Sequence, residues 1–400
     1  MTRDVQLILA AQAARAVAYG FASVLLGVSL AENGWSPGRV SLLLTAVIVG
    51  TAIMTVFVGS YGDRIGRRRT YTLLFLALSV TGIVFAFSDE FFVLAPVALA
   101  GALSTDVVES GPFTSLEQAM LPQATSAEQR THVFGVYNAI ATVAGAIGAL
   151  AAGGPTLLRD QFSAAPADER FFLILVPAGL CGVLAAGKLS GAIEGKPRTG
   201  YFLPLYKSRK NTVRLSGLFA FDAFAGGFVV QSFIAYWFSV KFDVSAEVLG
   251  AVFFAVGMLQ SISFLVATRI AVRIGLLNTM VFTHLPSNLL LAAIPLAPTP
   301  GTAIALLLGR FAISQMDVPT RQAYIAALIP PDERTAAVAY TNSARYATRP
   351  VGAALAGATQ EAALGLPFFI GGGLKIVYDV AIWLWFRRVP LPDETKEQSS

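Results

Sequence analysis

Long apolar runs, broken by short polar stretches, dominate the chain from one end to the other. Run length and flanking turn-formers place spans at 5–31, 39–60, 70–88, 91–117, 133–153, 170–193, 213–240, 247–268, 279–297, 302–328, 335–358 and 367–386. Each approaches or exceeds the roughly 20 residues that an α-helix needs to cross a hydrocarbon core about 30 Å thick. Turn-formers separate them, as at Trp35-Ser36-Pro37-Gly38, Ser88-Asp89-Glu90, Pro298-Thr299-Pro300-Gly301 and Pro330-Pro331-Asp332. The first run is too long for a signal-peptide core and lacks a small-residue cleavage site, so it reads as a retained span. The longest polar connection, about Gly195 to Arg214, falls midway. The expected fold is an all-α membrane protein of twelve transmembrane helices in two pseudo-symmetric six-helix bundles. The expected limits are 1–194 for the first bundle, 195–212 for a central loop, 213–388 for the second bundle and 389–400 for a tail.

Composition sharpens the picture. Hydrophobic residues make up 55% of the chain and charged residues 13%, against roughly a quarter charged in soluble domains. The net charge of +5 does not gather on a soluble face, so the bilayer rather than nucleic acid is the expected partner. With both termini cytoplasmic, about 19 of the 29 Lys and Arg residues fall on that side, as the positive-inside rule requires. They include Arg64, Arg67, Arg68, Arg69, Lys207, Arg209, Lys210, Arg214, Arg387 and Arg388, whereas only Arg39, Arg159, Arg170 and Lys241 fall outside. This points to a multi-pass protein of the inner (plasma) membrane. The single cysteine, Cys181, excludes disulfides within the chain and a cysteine-ligated metal site.

An internal repeat supports the division into halves. Arg64-Ile65-Gly66-Arg67-Arg68-Arg69-Thr70 returns as Arg273-Ile274-Gly275-Leu276-Leu277-Asn278-Thr279, and Glu128-Gln129-Arg130-Thr131 returns as Asp332-Glu333-Arg334-Thr335. Paired halves of this kind build alternating-access carriers, whose site is expected between them near the midplane. The stretch Gly59-Ser60-Tyr61-Gly62-Asp63-Arg64-Ile65-Gly66-Arg67-Arg68-Arg69 joins glycines for close approach and a tight turn to an acid beside a helix start. It resembles the loop between helices two and three of the major facilitator superfamily. The resemblance implies a transporter whose helices one, four, seven and ten line the cavity. It also implies that Gly59, Asp63, Arg64, Gly66 and Arg67 act as a conformational latch. The second copy departs from the pattern, with Val272 where the acid would stand. Span four carries acids where the family has an arginine motif, and Gly145, Gly148, Gly153, Gly154 and Pro155 match the drug-antiporter signature only loosely.

Ionisable residues deep in a span are costly and face a bundle interior or a water-filled cavity. Counting about 1.5 Å per residue places Arg15, Glu109, Asp222, Asp317 and Arg345 near mid-bilayer. Asp106 and Glu109 share one helical face, as do Arg345 and Arg349, and like charges so spaced need a partner. One expectation is that the acids of span four meet the arginines of span eleven in one conformation and part in the other. Asp317 and Arg321 could instead neutralise each other, and so could Lys375 and Asp379, a pair read as structural. Glu117 and Arg321 lie near span ends and read as reaching headgroup water. His284 reads as a buried hydrogen-bonding residue rather than a proton relay. Pro112, Pro286, Pro319 and Pro350 are expected to kink their helices.

These readings assign Arg15, Tyr19, Gln231, Arg310, Arg345 and Arg349 to substrate binding, with Trp237, Tyr340 and Asn342 as further lining candidates. Asp106, Glu109, Asp222 and Asp317 are assigned to proton coupling, because a carboxyl group alternating between dry and wet surroundings can load and release a proton. Arginine beside acids suits an anionic or zwitterionic solute. No P-loop, nucleophile elbow or metal-ligand cluster is present in the sequence, so neither an enzyme nor a cofactor is expected. The expected function is secondary active transport of a small organic solute with protons by a monomer, export being preferred. The alternative is proton-coupled uptake of an organic anion or zwitterion; a transporter-like sensor ranks below both.

Overall fold

The computed structural model describes residues 1–104, 111–121, 123–125, 130–162, 168–194, 205, 207–330 and 333–389. Asp106 and Glu109 lie outside the described residues. Among those described, every regular element is helical. The first three spans are single helices: α1 (Arg3–Glu32), α2 (Pro37–Ile65) and α3 (Arg67–Phe87). Local chemistry sets where they start. The Thr2 and Ser36 hydroxyls accept from the backbone N–H groups of Val5 and Arg39, and Pro37 occupies the first turn of α2, where its missing N–H costs nothing.

Span four is split into α4 (Phe91–Leu99) and α5 (Pro112–Met120). Then come α6 (Arg130–Ala151), the short α7 (Gly154–Gln161), and α8 (Leu175–Lys188) preceded by a 3-10 turn. Span seven is split into α9 (Arg209–Gly227) and α10 (Gln231–Phe242), and α11 (Ala246–Ile274) and α12 (Leu276–Ala293) follow. Span ten is split at Gln315 and Met316 into α13 (Pro300–Ser314) and α14 (Asp317–Leu328), and α15 (Arg334–Ala362) and α16 (Leu366–Phe386) end the chain. Pro112 and Pro319 stand in the first turns that restart a broken span, whereas Pro286 and Pro350 stay inside unbroken helices.

Nine stretches among the described residues are long and apolar enough to cross a membrane. Predicted spans four, ten and eleven are not among them. Span four is interrupted, and its middle is not described. Spans ten and eleven carry Arg310, Asp317, Arg321, Arg345 and Arg349, the kind of charge a span tolerates only when it is turned away from lipid.

The internal repeat is visible in the backbone. Gly66 and Gly275 link the second and third spans of their halves with φ of 99° and 83°, a region that penalises any side chain. Thr70 and Thr279 then send their hydroxyls back to the Gly66 and Gly275 carbonyls at 2.9 and 2.8 Å.

Two compact units form, residues 1–199 with 230–258 and residues 200–229 with 259–400. The chain passes from the second unit to the first at the break in span seven. In the first unit α1 is central, packed by α6, α8 and α10. A Cβ on Gly20 would fall 1.9 Å from the Gly145 carbonyl oxygen, and one on Gly148 would fall 1.9 Å from that of Val17, so backbone meets backbone there, as small residues permit. In the second unit α9 packs on α15 and α16, and α12 packs on α13, α14 and α16. Its core joins Leu215, Phe219, Met280, Tyr324, Tyr378 and Ile382. Large apolar side chains such as Ile53, Leu76, Phe92, Ile262, Val272 and Leu384 point outward, as expected where lipid is the solvent.

Candidate functional site

Each unit holds a buried cluster of charges. In the second, the cluster is assembled by the broken spans seven and ten with α12 and α16. Asp222, five residues before α9 ends, accepts from Lys375 Nζ at 2.5 Å. Its other oxygen lies 3.9 Å from Arg321, which stands 3.3 Å from Asp317, the first residue of α14. One turn along α16 from Lys375, Asp379 lies 2.7 Å from His284 Nδ1 and accepts from Asn288 Nδ2 at 2.9 Å. All of these side chains are buried. Charges taken out of water in this way persist only when paired and hydrogen-bonded, and three carboxylates here have such partners.

Arg310, on α13, is buried too. Its guanidinium lies 4.6 Å from the Phe311 ring centroid, and its Nε finds no acceptor among the described residues. Asp222 and Asp317 act on it electrostatically.

In the first unit the centre is Glu117, on α5, which is fully buried. One carboxylate oxygen accepts from Arg15 at 2.7 Å and Tyr137 at 2.6 Å, and the other accepts from Tyr71 at 2.6 Å. The Arg15 guanidinium also sits 4.8 Å from the Phe113 ring centroid. Gln12, one turn earlier on α1, donates to the Tyr137 carbonyl at 3.0 Å. Tyr19 donates to the Ala102 carbonyl, which fastens α1 to the interrupted part of span four.

The glycine- and arginine-rich loop joins elements of the first unit. Arg67 donates to Asp63 at 2.6 Å and to the carbonyls of Ala119 and Ile193 at 2.8 and 3.0 Å. Glu194 accepts from the backbone N–H groups of Arg67 and Arg68 at 2.7 and 3.2 Å, which caps α3. The second unit repeats the device: Glu333 accepts from the backbone N–H groups of Lys207 and Ser208 at 2.9 Å where α9 begins. Gly59 and Arg64 are exposed, the latter beside the Tyr61 ring.

Several sequence expectations change. Glu117 and Arg321 do not reach headgroup water; each is the hub of a buried ion cluster. Lys375 and Asp379 do not neutralise each other, because α9 offers Lys375 a carboxylate and α12 offers Asp379 an imidazole and an amide. Asp317 and Arg321 do meet, and His284 is a buried hydrogen-bonding residue. Gln231 donates to the Ser23 hydroxyl at 2.8 Å. Arg345 and Arg349 lie half-buried one turn apart on α15. The hub missed by sequence reasoning is Glu117. The available signal was Arg15, a mid-span cation that must find an acid in its own half. Among the described residues no group of three or more His, Cys, Asp or Glu side chains converges to hold a metal ion.

Comparison with known proteins follows the fold. Residues 8–316 match the sequence profile of the Major Facilitator Superfamily. An uncharacterized membrane protein of Saccharomyces cerevisiae is 25% identical, with 96% of this chain and 94% of the yeast protein covered. The uncharacterized MFS-type transporter YceJ of Bacillus subtilis is 21% identical over 82% of this chain and 80% of its own length. Among solved structures, the nucleoside transporter NupG superposes with a TM-score of 0.74 at 11% identity, covering 96% of this chain and all of that one. The human organic anion transporter TETRAN superposes with a TM-score of 0.66 at 15% identity, covering 95% of this chain and 99% of its own.

Proposed function

Since this chain belongs to the major facilitator superfamily, and so is a multi-pass membrane transporter of the secondary class, we propose that it moves a small organic solute by alternating access with protons as the coupling ion. The observation that carries the reading is the buried ionic cluster beside two interrupted spans. Half-helices of this kind recur where transporters bind substrate and coupling ions, because interrupted backbone is tolerated only around protein or a polar cavity. Asp317 opens α14 directly after one break, and Asp222 precedes the other by less than two turns. Each carboxylate is held by a cation, so a proton arriving on either one frees Lys375 or Arg321 to change partner. That exchange gives a proton leverage over packing.

The break in span seven supports the conformational half of the proposal. Its first helix packs with α15 and α16 and its second packs with α1. In this reading Phe228 to Val230 is the hinge. The relatives do not determine the cargo, since the solved ones carry solutes as different as nucleosides and organic anions.

Reconstituted protein in vesicles loaded with a pH dye, screened against pooled metabolites and drugs, tests the proposal. A compound class that drives proton movement, lost in Asp222→Asn or Asp317→Asn, is the expected result. Counter-movement of solute and protons marks export, and co-movement marks uptake. Solute flux with no proton movement would rule out the coupling.

A further inference from the structure

Four cationic or imidazole side chains and three carboxylates of the second unit bear on its buried cluster, and all but one have found a hydrogen-bonding or ionic partner among the described residues. Lys375 and Arg321 hold Asp222 and Asp317, and His284 with Asn288 holds Asp379. Arg310 remains. It is 8% exposed, and among the described residues it has neither a hydrogen bond nor an ion pair. A guanidinium carries five N–H donors in a rigid fork, and leaving such a group buried without acceptors costs more than the interaction is worth when made.

The surroundings say what is missing. Asp222 and Asp317 act on Arg310 from a distance, but the cations that pair with them are Lys375 and Arg321. The buried Nε of Arg310 is therefore left without an acceptor among the described residues. Arg310 stands one turn before the end of α13, just ahead of the Gln315–Met316 break. Its other neighbour is an aromatic face, Phe311, which supplies no acceptor. A planar acceptor group completes such a fork with two parallel hydrogen bonds.

We infer that Arg310 anchors the acidic group, carboxylate or phosphate, of an anionic organic solute. The inference rests on the transporter reading and names its cargo class. Asp222 and Asp317 repel a bound anion, which keeps its affinity modest and ties its release to the state of the two acid–base pairs.

The test uses the full chain in lipid nanodiscs. Thermal unfolding is followed with millimolar benzoate, succinate or glycerol 3-phosphate, and with tetraphenylphosphonium and glucose as cationic and neutral controls. At least one anion should raise the melting temperature saturably while the controls do not. Losing a charge-assisted hydrogen-bonding partner weakens binding by about tenfold to a hundredfold, and that is the loss expected in Arg310→Gln. Arg310→Lys should retain part of the affinity. No response to any anion, a response unchanged in Arg310→Gln, or a response to the cation alone would overturn the assignment. If Arg310→Gln fails to fold, phenylglyoxal labelling of the native protein replaces it, with Arg310 read by mass spectrometry. Protection by the same anion supports the site, and absent or unaltered labelling refutes it. Proton flux driven by a neutral or cationic solute would sink the anion assignment and leave the transporter reading intact. Anion binding with no solute flux would do the reverse.

Discussion

Replacing Glu117 by glutamine exchanges a carboxylate that accepts from Arg15 at 2.7 Å, Tyr137 at 2.6 Å and Tyr71 at 2.6 Å for an amide with a single acceptor oxygen. That oxygen can serve Arg15 and Tyr137, and the amide nitrogen can donate to a reoriented Tyr71 hydroxyl, so shape and most hydrogen bonds survive. What is lost is the negative charge opposite Arg15, which is 1% exposed and cannot shed its proton. Stranding one member of a buried pair costs about 3–5 kcal/mol, or roughly two to four decades in the unfolding equilibrium. Unfolding in mixed micelles with increasing dodecyl sulfate, followed by circular dichroism, measures the change. A second substitution, Arg15→Met, removes the cation as well. The double variant Arg15→Met/Glu117→Gln should therefore be more stable than Glu117→Gln alone. The reasoning fails if Glu117→Gln costs less than about 1 kcal/mol, the range of solvated pairs, or if the two substitutions simply add.

Other expectations follow from the same contacts. Gly148→Val inserts side-chain carbons where even a Cβ would fall 1.9 Å from the Val17 carbonyl oxygen, so overpacking of about 1–3 kcal/mol or more should lower the folded yield on size exclusion. Gly373→Ala, with no atom within 4 Å of its Cβ, should leave that yield unchanged. Lys375→Met leaves Asp222, among the described residues, with Arg321 at 3.9 Å as its one ion-pair partner, and should lower the melting temperature; adding Asp222→Leu should recover part of the loss. Arg67→Lys cannot reproduce bonds to Asp63, Ala119 and Ile193 together. Transport rate should fall more than solute affinity, as measured by initial-rate uptake against equilibrium binding.

The nine spans found among the described residues were legible because lipid imposes a length and an apolarity that few residues disguise. The loop motif and its weaker copy were legible for a related reason: a left-handed turn selects glycine, and both Gly66 and Gly275 make one. Asp317 with Arg321 was readable because residues four apart on one helix must face alike. Lateral pairing was not. The spacing of Lys375 and Asp379 gives a common face on α16 but says nothing of which helices lie against it, and those neighbours took each side chain separately. Glu117 was misplaced because span four was counted as one continuous helix. The break before Gly111 restarts it as α5 and brings the carboxylate in among Arg15, Tyr71 and Tyr137. Arg310 was legible as a deep cation, but its unspent donors became visible only once every neighbouring acid had a partner.

The most direct test of the proton-coupled account is solute-driven proton movement in vesicles, compared between the unaltered protein and the variants Asp222→Asn and Asp317→Asn, whose carboxylates meet Lys375 at 2.5 Å and Arg321 at 3.3 Å. The account predicts proton movement with one class of solute and its loss in at least one variant that still binds the solute. Solute flux with no proton movement, or proton movement unchanged in both variants, would contradict it.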